Sequence, residues 1–570
     1  MSEKTIGLIN LDSGVYMFNE TLRYVSWKLR KSNYKVLTLE CGNSLKRCTC
    51  FTSLNDIDIQ KIGNDKVCLP ENRIESDFKY VINMDIKCKE AENFKKFFYE
   101  RFNKNNKIKD VIDMKYKNFP IARIAFFDFS IKEKIRSEHK LNENFKNKYF
   151  NGVFDQITLI NSLEEICKIF KLTKIIYING NYSQNSLIRS FFKKKGIRSL
   201  SIENQPTSQG VLNKISIIKE RAVVEPEFLY KKMNLKESKS KISILDTIKT
   251  LKNFGERIKG NDYNAYTSLH LNSITKNELK ELNKFSKKYS LIHSYFLASE
   301  DEVLSHEECY GIDKKGNKNR IPNFPFISQE DFTEYFIKEA FNYPKVGFII
   351  RLHPRMAANK RNDFESDEHI RYKKLLSRIK IPTNVFILYG DSNISSYYVV
   401  NLSDLVITTW STIGLESLLL GKKAIVLFPF RTCYPIGSFS SQPKDWLACR
   451  ETIFKGNNLG IVDDICLISW IQNAFESQFF LTPVPRGKGG LLGKIYGKIY
   501  KAFSKLGLYF IVSNTLDLFN YRSIKPDKNF LFLKKENNFR FTKFKNLIFR
   551  YLIKNYRIKF QKLLLKYGEI

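Results

Sequence analysis

The stretch SDLVITTWSTIGLESLLLGKKAIVLFPF, residues 403–430, changes its apolar spacing partway along. Leu405, Val406 and Ile407 form a continuous apolar run ending in Thr408, the pattern of a strand buried on both faces of a sheet. Ile413, Leu415, Leu418 and Leu419 then follow at helical spacing, and a second apolar run begins after Gly421. Strand, helix and strand at this spacing make a βαβ unit, and such units build parallel sheets.

The same alternation extends through the chain. Upstream, YSLIHSYFLAS reads as a strand and SQEDFTEYFIKEAFNYP as a capped helix stopped by Pro344. KVGFIIRLHP and NVFILYGDS read as two further strands. Near the start, TIGLIN reads as a strand, NETLRYVSWKLRKSN as a helix capped by Asn19, and YKVLTLE as a strand. KIIYING, the helix SQNSLIRSFFKKKG ending at Gly196, and IRSLSIEN continue that series. Residues 87–148 read as mainly helical. The expected fold class is α/β, with two Rossmann-like lobes facing a cleft and a basic helical extension. The expected domains are an acceptor lobe over 1–235, a helical bridge over 236–288, a nucleotide-sugar-binding lobe over 289–480 and a basic amphipathic extension over 481–570.

Composition bounds the function classes. A chain of 570 residues with 43% hydrophobic and 27% charged residues is globular and long enough for two or three cores. Its net charge of +36 is unevenly spread: residues 481–570 hold 20 Lys and Arg against 4 Asp and Glu. No RNP, helix-turn-helix or zinc-finger pattern accompanies the charge, so nucleic acid is not an expected partner. No apolar run approaches the roughly 18 residues of a membrane span, and the first residues lack a signal-peptide pattern. Ten cysteines without an export signal suit reduced thiols in a cytosolic protein. Cys41, Cys48, Cys50 and Cys68 lie close together but lack paired metal-ligand spacing. GKGGLLGK, residues 487–494, lacks the spacing and the preceding strand of a phosphate-binding loop.

Three strand ends carry candidate chemistry. Ser411 and Thr412 open a helix at the carboxyl end of a strand, the edge at which open α/β sheets bind ligands. There the helix amides, two hydroxyls and the close approach allowed by Gly414 suit an anion. The same pair serves equally as an ordinary helix cap. RLHP ends another strand, so Arg351 and His353 offer basic groups at that edge and Pro354 fixes the turn; a solvated loop histidine is the alternative. Asp391, Ser392, Ser395 and Ser396 follow a third strand, as a ligand loop or as a polar turn capping the next helix.

Residues 351–427, from RLHP through ILYGDSNISSYYVVNLSDLVITTWSTIGLESLLLGKKAIVL, resemble the carboxyl lobe of GT-B glycosyltransferases of bacterial surface polysaccharides. They are most similar to capsule-biosynthesis proteins with an HP motif and a later serine or Ser-Thr pair. That pair of motifs also occurs in sialyltransferases and Kdo transferases, which use CMP-sugars. YINGNYSQNSLIRSFFKKKGIRSLSIEN looks like the matching amino-lobe segment. The resemblance implies that His353, Ser411 and Thr412 hold the donor's phosphates and that Glu416 reaches the ribose. A helix-surface carboxylate is the plainer reading of Glu416. Helix dipoles and basic groups would stabilise the leaving phosphate without a metal. The lone Asp56-x-Asp58 pair stands at no strand end, so neither metal nor cofactor is expected beyond the nucleotide-sugar co-substrate. Glu203 and Asp12, each at a strand end, are the candidate general bases for an acceptor hydroxyl, and simple turn or cap carboxylates otherwise. Asn181 and Trp410 depart from the family pattern, where Arg and a small residue are common.

The expected activity is transfer of a sugar from a nucleotide donor, of CMP-sugar type, to a lipid-linked or oligosaccharide acceptor. A CDP-glycerol-type glycerophosphotransferase and a non-catalytic nucleotide-binding scaffold are the rivals. The basic segment from residue 541 interleaves Phe544, Leu547, Ile548, Tyr551 and Leu552 with Lys545, Arg550, Lys554 and Arg557. It is expected either to lie on an anionic membrane at the inner face of the cell or to pack on the lobes with a solvated basic face.

Overall fold

The computed structural model describes residues 5–11, 15–42, 44–47, 74–82, 88–180, 182–204, 212–219, 247–248, 251, 254–255, 258–259, 276–300, 323–326, 328–358, 365–409, 411–427, 443–457, 463–465, 467–468, 479–485, 497–503 and 541–569. They form two compact α/β units. Asp12, Cys48, Cys50, Cys68, Asn181, Trp410, the Asp56-x-Asp58 pair and residues 487–494 lie outside the described residues.

The first unit begins with β1 (Thr5–Asn10), α1 (Tyr16–Lys31), β2 (Lys35–Glu40) and β3 (Phe78–Val81). Three helices follow, α2 (Lys89–Asn103), α3 (Ile121–Glu133) and α4 (Glu143–Ile169), then β4 (Leu172–Ile178), α5 (Ser183–Lys194), β5 (Arg198–Asn204) and β6 (Leu212–Lys219). A late strand, β12 (Phe479–Pro485), completes a sheet of order β12-β6-β5-β4-β1-β2-β3. The five strands from β5 to β3 are parallel, and β6 and β12 are antiparallel additions. Their order reverses between β1 and β4, as in a Rossmann sheet. Asn19 is not the cap of α1. The helix starts four residues earlier in sequence than that reading requires, after Val15, and Asn19 sits buried inside it, accepting a hydrogen bond from Asn10 Nδ2 at 3.2 Å. The three helices α2, α3 and α4 form because their aromatic residues make the core: Phe98, Phe102, Phe126, Tyr149 and Phe150 are all buried in one cluster.

The second unit contains α6 (Lys276–Ser286), β7 (Leu291–Phe296), α7 (Gln329–Ala340), β8 (Val346–Arg351), α8 (Asp367–Arg378), β9 (Val385–Leu388), α9 (Ser396–Leu402), β10 (Leu405–Thr408), α10 (Ile413–Leu419), β11 (Lys423–Val426), α11 (Trp446–Lys455) and α12 (Phe541–Gly568). Its sheet has the order β11-β10-β7-β8-β9 and is parallel throughout. The chain adds β8 and β9 on one side of β7 and then β10 and β11 on the other, so the order reverses between β7 and β10. One face packs aromatically through Tyr295, Phe332, Phe336, Phe348 and Phe454. The other is covered by α6, α9, α10 and α12.

Two domain expectations need correction. Leu279, Leu282 and Phe285 of α6 are buried in the second unit's core, so this part of the expected 236–288 bridge belongs to a lobe. Residues 481–570 are not one appended extension either. β12 pairs with β6 in the first unit, whereas α12 buries Phe549, Ile553, Tyr556, Phe560, Leu564 and Tyr567 in the second unit's core. Those six recur at steps of three and four, the seam of a packed helix, and each such burial contributes about 1.5–3 kcal/mol.

Candidate functional site

The parallel sheet of the second unit brings the carboxyl ends of β7, β8, β9 and β10 to one edge. His353 stands two residues beyond β8, Asp391 and Ser392 follow β9, and Ser411 and Thr412 follow β10. In the order β10-β7-β8, the His353 and Ser411 turns are two strand spacings apart, about 10 Å.

His353 is half-buried in a tight turn in which its carbonyl accepts the Met356 amide at 2.9 Å. Its Nδ1 accepts the Arg355 amide at 3.1 Å, so the neutral ring carries its proton on Nε2. That is the tautomer a phosphate oxygen requires. Pro354, also half-buried, follows it in the turn. Gly390 lets the next loop close on this turn: a Cβ there would stand 3.1 Å from the His353 carbonyl oxygen and 3.2 Å from both the nitrogen and the Cβ of Ala357. The Gly390 amide donates to His369 Nε2 at 3.2 Å, and His369 Nδ1 lies 2.6 Å from Glu365 Oε1. Burial lowers the His369 pKa, opposed by the Glu365 carboxylate, so the ring is a neutral acceptor for the loop.

Arg351 sits differently from the sequence expectation. It is fully buried, and its guanidinium donates to the carbonyls of Tyr389, Ser392 at 2.9 Å and Ile394 at 3.5 Å. Burial brings its pKa down to about 10, still charged at neutral pH. It shapes the loop after β9 from beneath. Ser392 Oγ donates to Glu278 Oε2 of α6 at 2.9 Å, and Asp391 is exposed.

Ser411 and Thr412 are half-buried, and the Ser411 amide donates to Thr408 Oγ1 at 3.2 Å. Ser411 Oγ accepts the Ile413 amide at 3.4 Å, a long cap that leaves its O–H as a donor, and Thr412 makes no side-chain cap. Gly414 and Glu416 are both buried within α10. Glu416 is therefore no surface carboxylate; it lies beside Tyr556 of α12, whose hydroxyl burial and this carboxylate hold protonated. The far end of α10 closes with Gly421 in the left-handed conformation: its amide donates to Leu418 and that of Lys422 to Ser417. Arg557 of α12 covers this end, donating to the carbonyls of Leu418 at 2.9 Å and Leu419 at 3.1 Å while pairing Asp464 at 2.6 Å. A cation at a helix carboxyl end meets the negative end of its dipole.

Sequence reasoning missed two contributors to this edge, Gln329 and His369. Gln329, the first residue of α7, is buried across the point where strand order reverses. It donates to the Ala298 carbonyl and accepts the Ala298 amide, each at 2.9 Å, and accepts from Thr409 Oγ1 at 2.5 Å. His369 acts on the Gly390 loop from α8, and no local motif marks either residue.

The first unit has its own polar edge. Asp128, buried on α3, accepts the Ser183 amide at 3.1 Å and the Ser183 hydroxyl at 2.5 Å, holding the start of α5 beyond β4. Asp155 accepts the amides of Lys46 at 3.0 Å and Arg47 at 2.5 Å beyond β2. Burial pushes both carboxyls up to about 7 against these hydrogen bonds. Glu203 lies in β5, opposite Ser216 of β6; its side chain is outside the described residues. Among the described residues no cluster of His, Cys, Asp and Glu has a metal-holding arrangement.

No protein-family model matches this sequence, and no curated protein does. Among solved structures, the chain is similar to the KpsC β-Kdo 2,4-transferase of Thermosulfurimonas dismutans, at 12% identity over 52% of this chain and 79% of that one, with a TM-score of 0.29. It is also similar to the UDP-GlcNAc 2-epimerase of Neisseria meningitidis bound to UDP-GlcNAc, at 12% identity over 75% and 82% with a TM-score of 0.23. The spinosyn rhamnosyltransferase SpnG matches at 9% identity over 83% and 95%, again with a TM-score of 0.23. At these TM-scores the architecture rests on the sheets of the chain itself.

Proposed function

We propose that the chain is a GT-B-type glycosyltransferase whose second unit binds a nucleotide-activated sugar and whose product is a surface glycan. The observation that carries this reading is the convergence of the His353 turn, the 390–392 loop and the Ser411–Thr412 turn on the carboxyl edge of one Rossmann-ordered sheet. In this reading, His353 Nε2–H and the hydroxyls of Ser411 and Thr412 donate to the nucleotide phosphates. Arg351, His369 and Gln329 position the loops. Glu416 is buried beside Tyr556 of α12 in the structure described, so a ribose contact requires it to reach out of that packing. The donor's anomeric carbon–phosphate oxygen bond breaks with its electron pair on the leaving phosphate, and the acceptor oxygen bonds to that carbon. The acceptor's proton passes to a carboxylate acting as general base, for which Glu203 and Asp12 are the candidates. Hydrogen-bond donors aimed at the phosphate lower the barrier as its charge develops.

The test is a thermal-shift titration of the full chain with CMP, CDP, UDP and GDP, followed by donor hydrolysis with the matching nucleotide sugars. CMP and CMP-sugars are the expected responders. His353→Ala should keep the cooperative unfolding of the wild type and bind the responding nucleotide roughly 10- to 100-fold more weakly, the worth of one charge-assisted hydrogen bond. Unchanged affinity in that variant would remove His353 from the phosphate site. Turnover of CDP-glycerol alone would make the chain a glycerophosphotransferase, and nucleotide binding without any turnover would make it a scaffold.

A further inference from the structure

We infer that the outward face of α12 docks the protein on an anionic lipid surface. The sequence pointed to Phe544, Leu547, Ile548, Tyr551 and Leu552 as the membrane-facing set, and the packing of the helix selects a different one. Ile548 and Leu552 are partly covered, and the Phe544 side chain is outside the described residues. The large apolar residues that α12 turns outward are Leu547, Tyr551, Ile558 and Leu565, which are 61%, 65%, 39% and 56% exposed. At 100° per residue they fall within a narrow stripe, opposite the seam of six buried residues, that runs about 27 Å along the helix.

Charge identifies the occupant. The 28 residues of α12 include eight Lys and Arg and no Asp or Glu. Arg557 is spent inward on Leu418, Leu419 and Asp464. Arg550, Lys554, Lys559, Lys562 and Lys566 are exposed and flank the apolar stripe on both sides. A row of apolar and aromatic side chains bordered by lysines matches the boundary between acyl chains and anionic headgroups, in which the stripe enters the apolar layer and the ammonium groups meet phosphate. A nucleic acid would use the lysines and leave the stripe in water; a second copy would bring lysines against lysines. No described helix is long and apolar enough to cross a membrane, so this is surface docking. The inference stands independently of the transferase reading, because it uses no residue of the nucleotide edge.

The experiment is co-sedimentation of the full chain with phosphatidylcholine vesicles and with vesicles containing phosphatidylglycerol. Binding is expected only to the anionic vesicles, and it should weaken as salt rises. Leu547→Ser/Tyr551→Ser/Leu565→Ser and, separately, Lys554→Gln/Lys562→Gln/Lys566→Gln should each bind about tenfold more weakly or worse. Both change only exposed positions, and thermal unfolding checks that each variant folds. Vesicle binding unchanged in either variant overturns the inference. So does equal binding to both vesicle types, or loss of a dimer in the apolar variant with vesicle binding intact. Retention of DNA in the apolar variant, with no vesicle binding by the wild type, would assign the face to nucleic acid instead.

Discussion

Gln329 shows how one side chain outside any motif can hold a ligand edge together. Two strands diverge where the order of the second sheet reverses, and their departing backbones leave polar groups without ladder partners. The Gln329 amide supplies partners for both the N–H and the C=O of Ala298 and for the Thr409 hydroxyl, in a fully buried position. Gln329→Leu keeps the volume and removes all three partners. With an unmet buried polar group costing about 1–3 kcal/mol, the variant should lose at least about 2 kcal/mol of stability in urea unfolding. Wild-type stability would mean that water replaces the amide at no cost. Gln329 reads in the sequence as the helix residue after the Ser328 cap, and nothing local distinguishes it. His353 is the opposite case: the HP pair ending an apolar strand was legible, and only its tautomer required the fold.

At the scale of elements, packing decides α12. Its sequence fits either a membrane-surface helix or one packed on the lobes, and its basic character alone cannot say which face is buried. The second unit decides that. Tyr567 accepts the Ser395 amide at 3.0 Å, the Gly568 carbonyl accepts from Asn283 at 2.8 Å, and Arg557 closes α10. Six buried side chains at about 1.5–3 kcal/mol each approach the whole stability of a typical domain, about 5–15 kcal/mol. Removal of residues 541–570 should therefore leave an insoluble or unfolded second unit, read as lost soluble yield and a lost thermal transition. A soluble, cooperatively folded truncation would contradict this role. Lipid docking consequently has to be tested with surface substitutions in the full chain.

Across the whole molecule, the stability contributed by Asp128 and Asp155 should decline as pH rises from 3.8 to about 7. Asp128 and Asp155 in the folded chain hold their protons up to about 7, whereas in the unfolded chain they ionise near the ordinary value of 3.8. The folded state thus binds more protons across that window, and its stability is greatest at the acid end and declines towards pH 7. Thermal midpoints from pH 5 to 8 should fall for the wild type and fall less for Asp128→Asn/Asp155→Asn. Parallel slopes would show that the Ser183, Lys46 and Arg47 donors outweigh burial and keep both groups ionised.

The parallel strands β1, β2, β4, β5 and β7–β11 were readable because local patterns encode them: short continuous apolar runs fit buried strands, and most alternate with a helix-spaced segment, whereas β3, β6 and β12 were not read. The HP and Ser-Thr turns were readable for the same reason, since a strand end and a helix start fix which edge they occupy. Three outcomes depended on tertiary structure: the inward turn of Arg351, the burial of Glu416 against Tyr556, and the division of residues 481–570 between two units. Each depends on contacts between residues far apart in the chain. Residue spacing records which side chains share a face of one element, but only packing determines what that face meets.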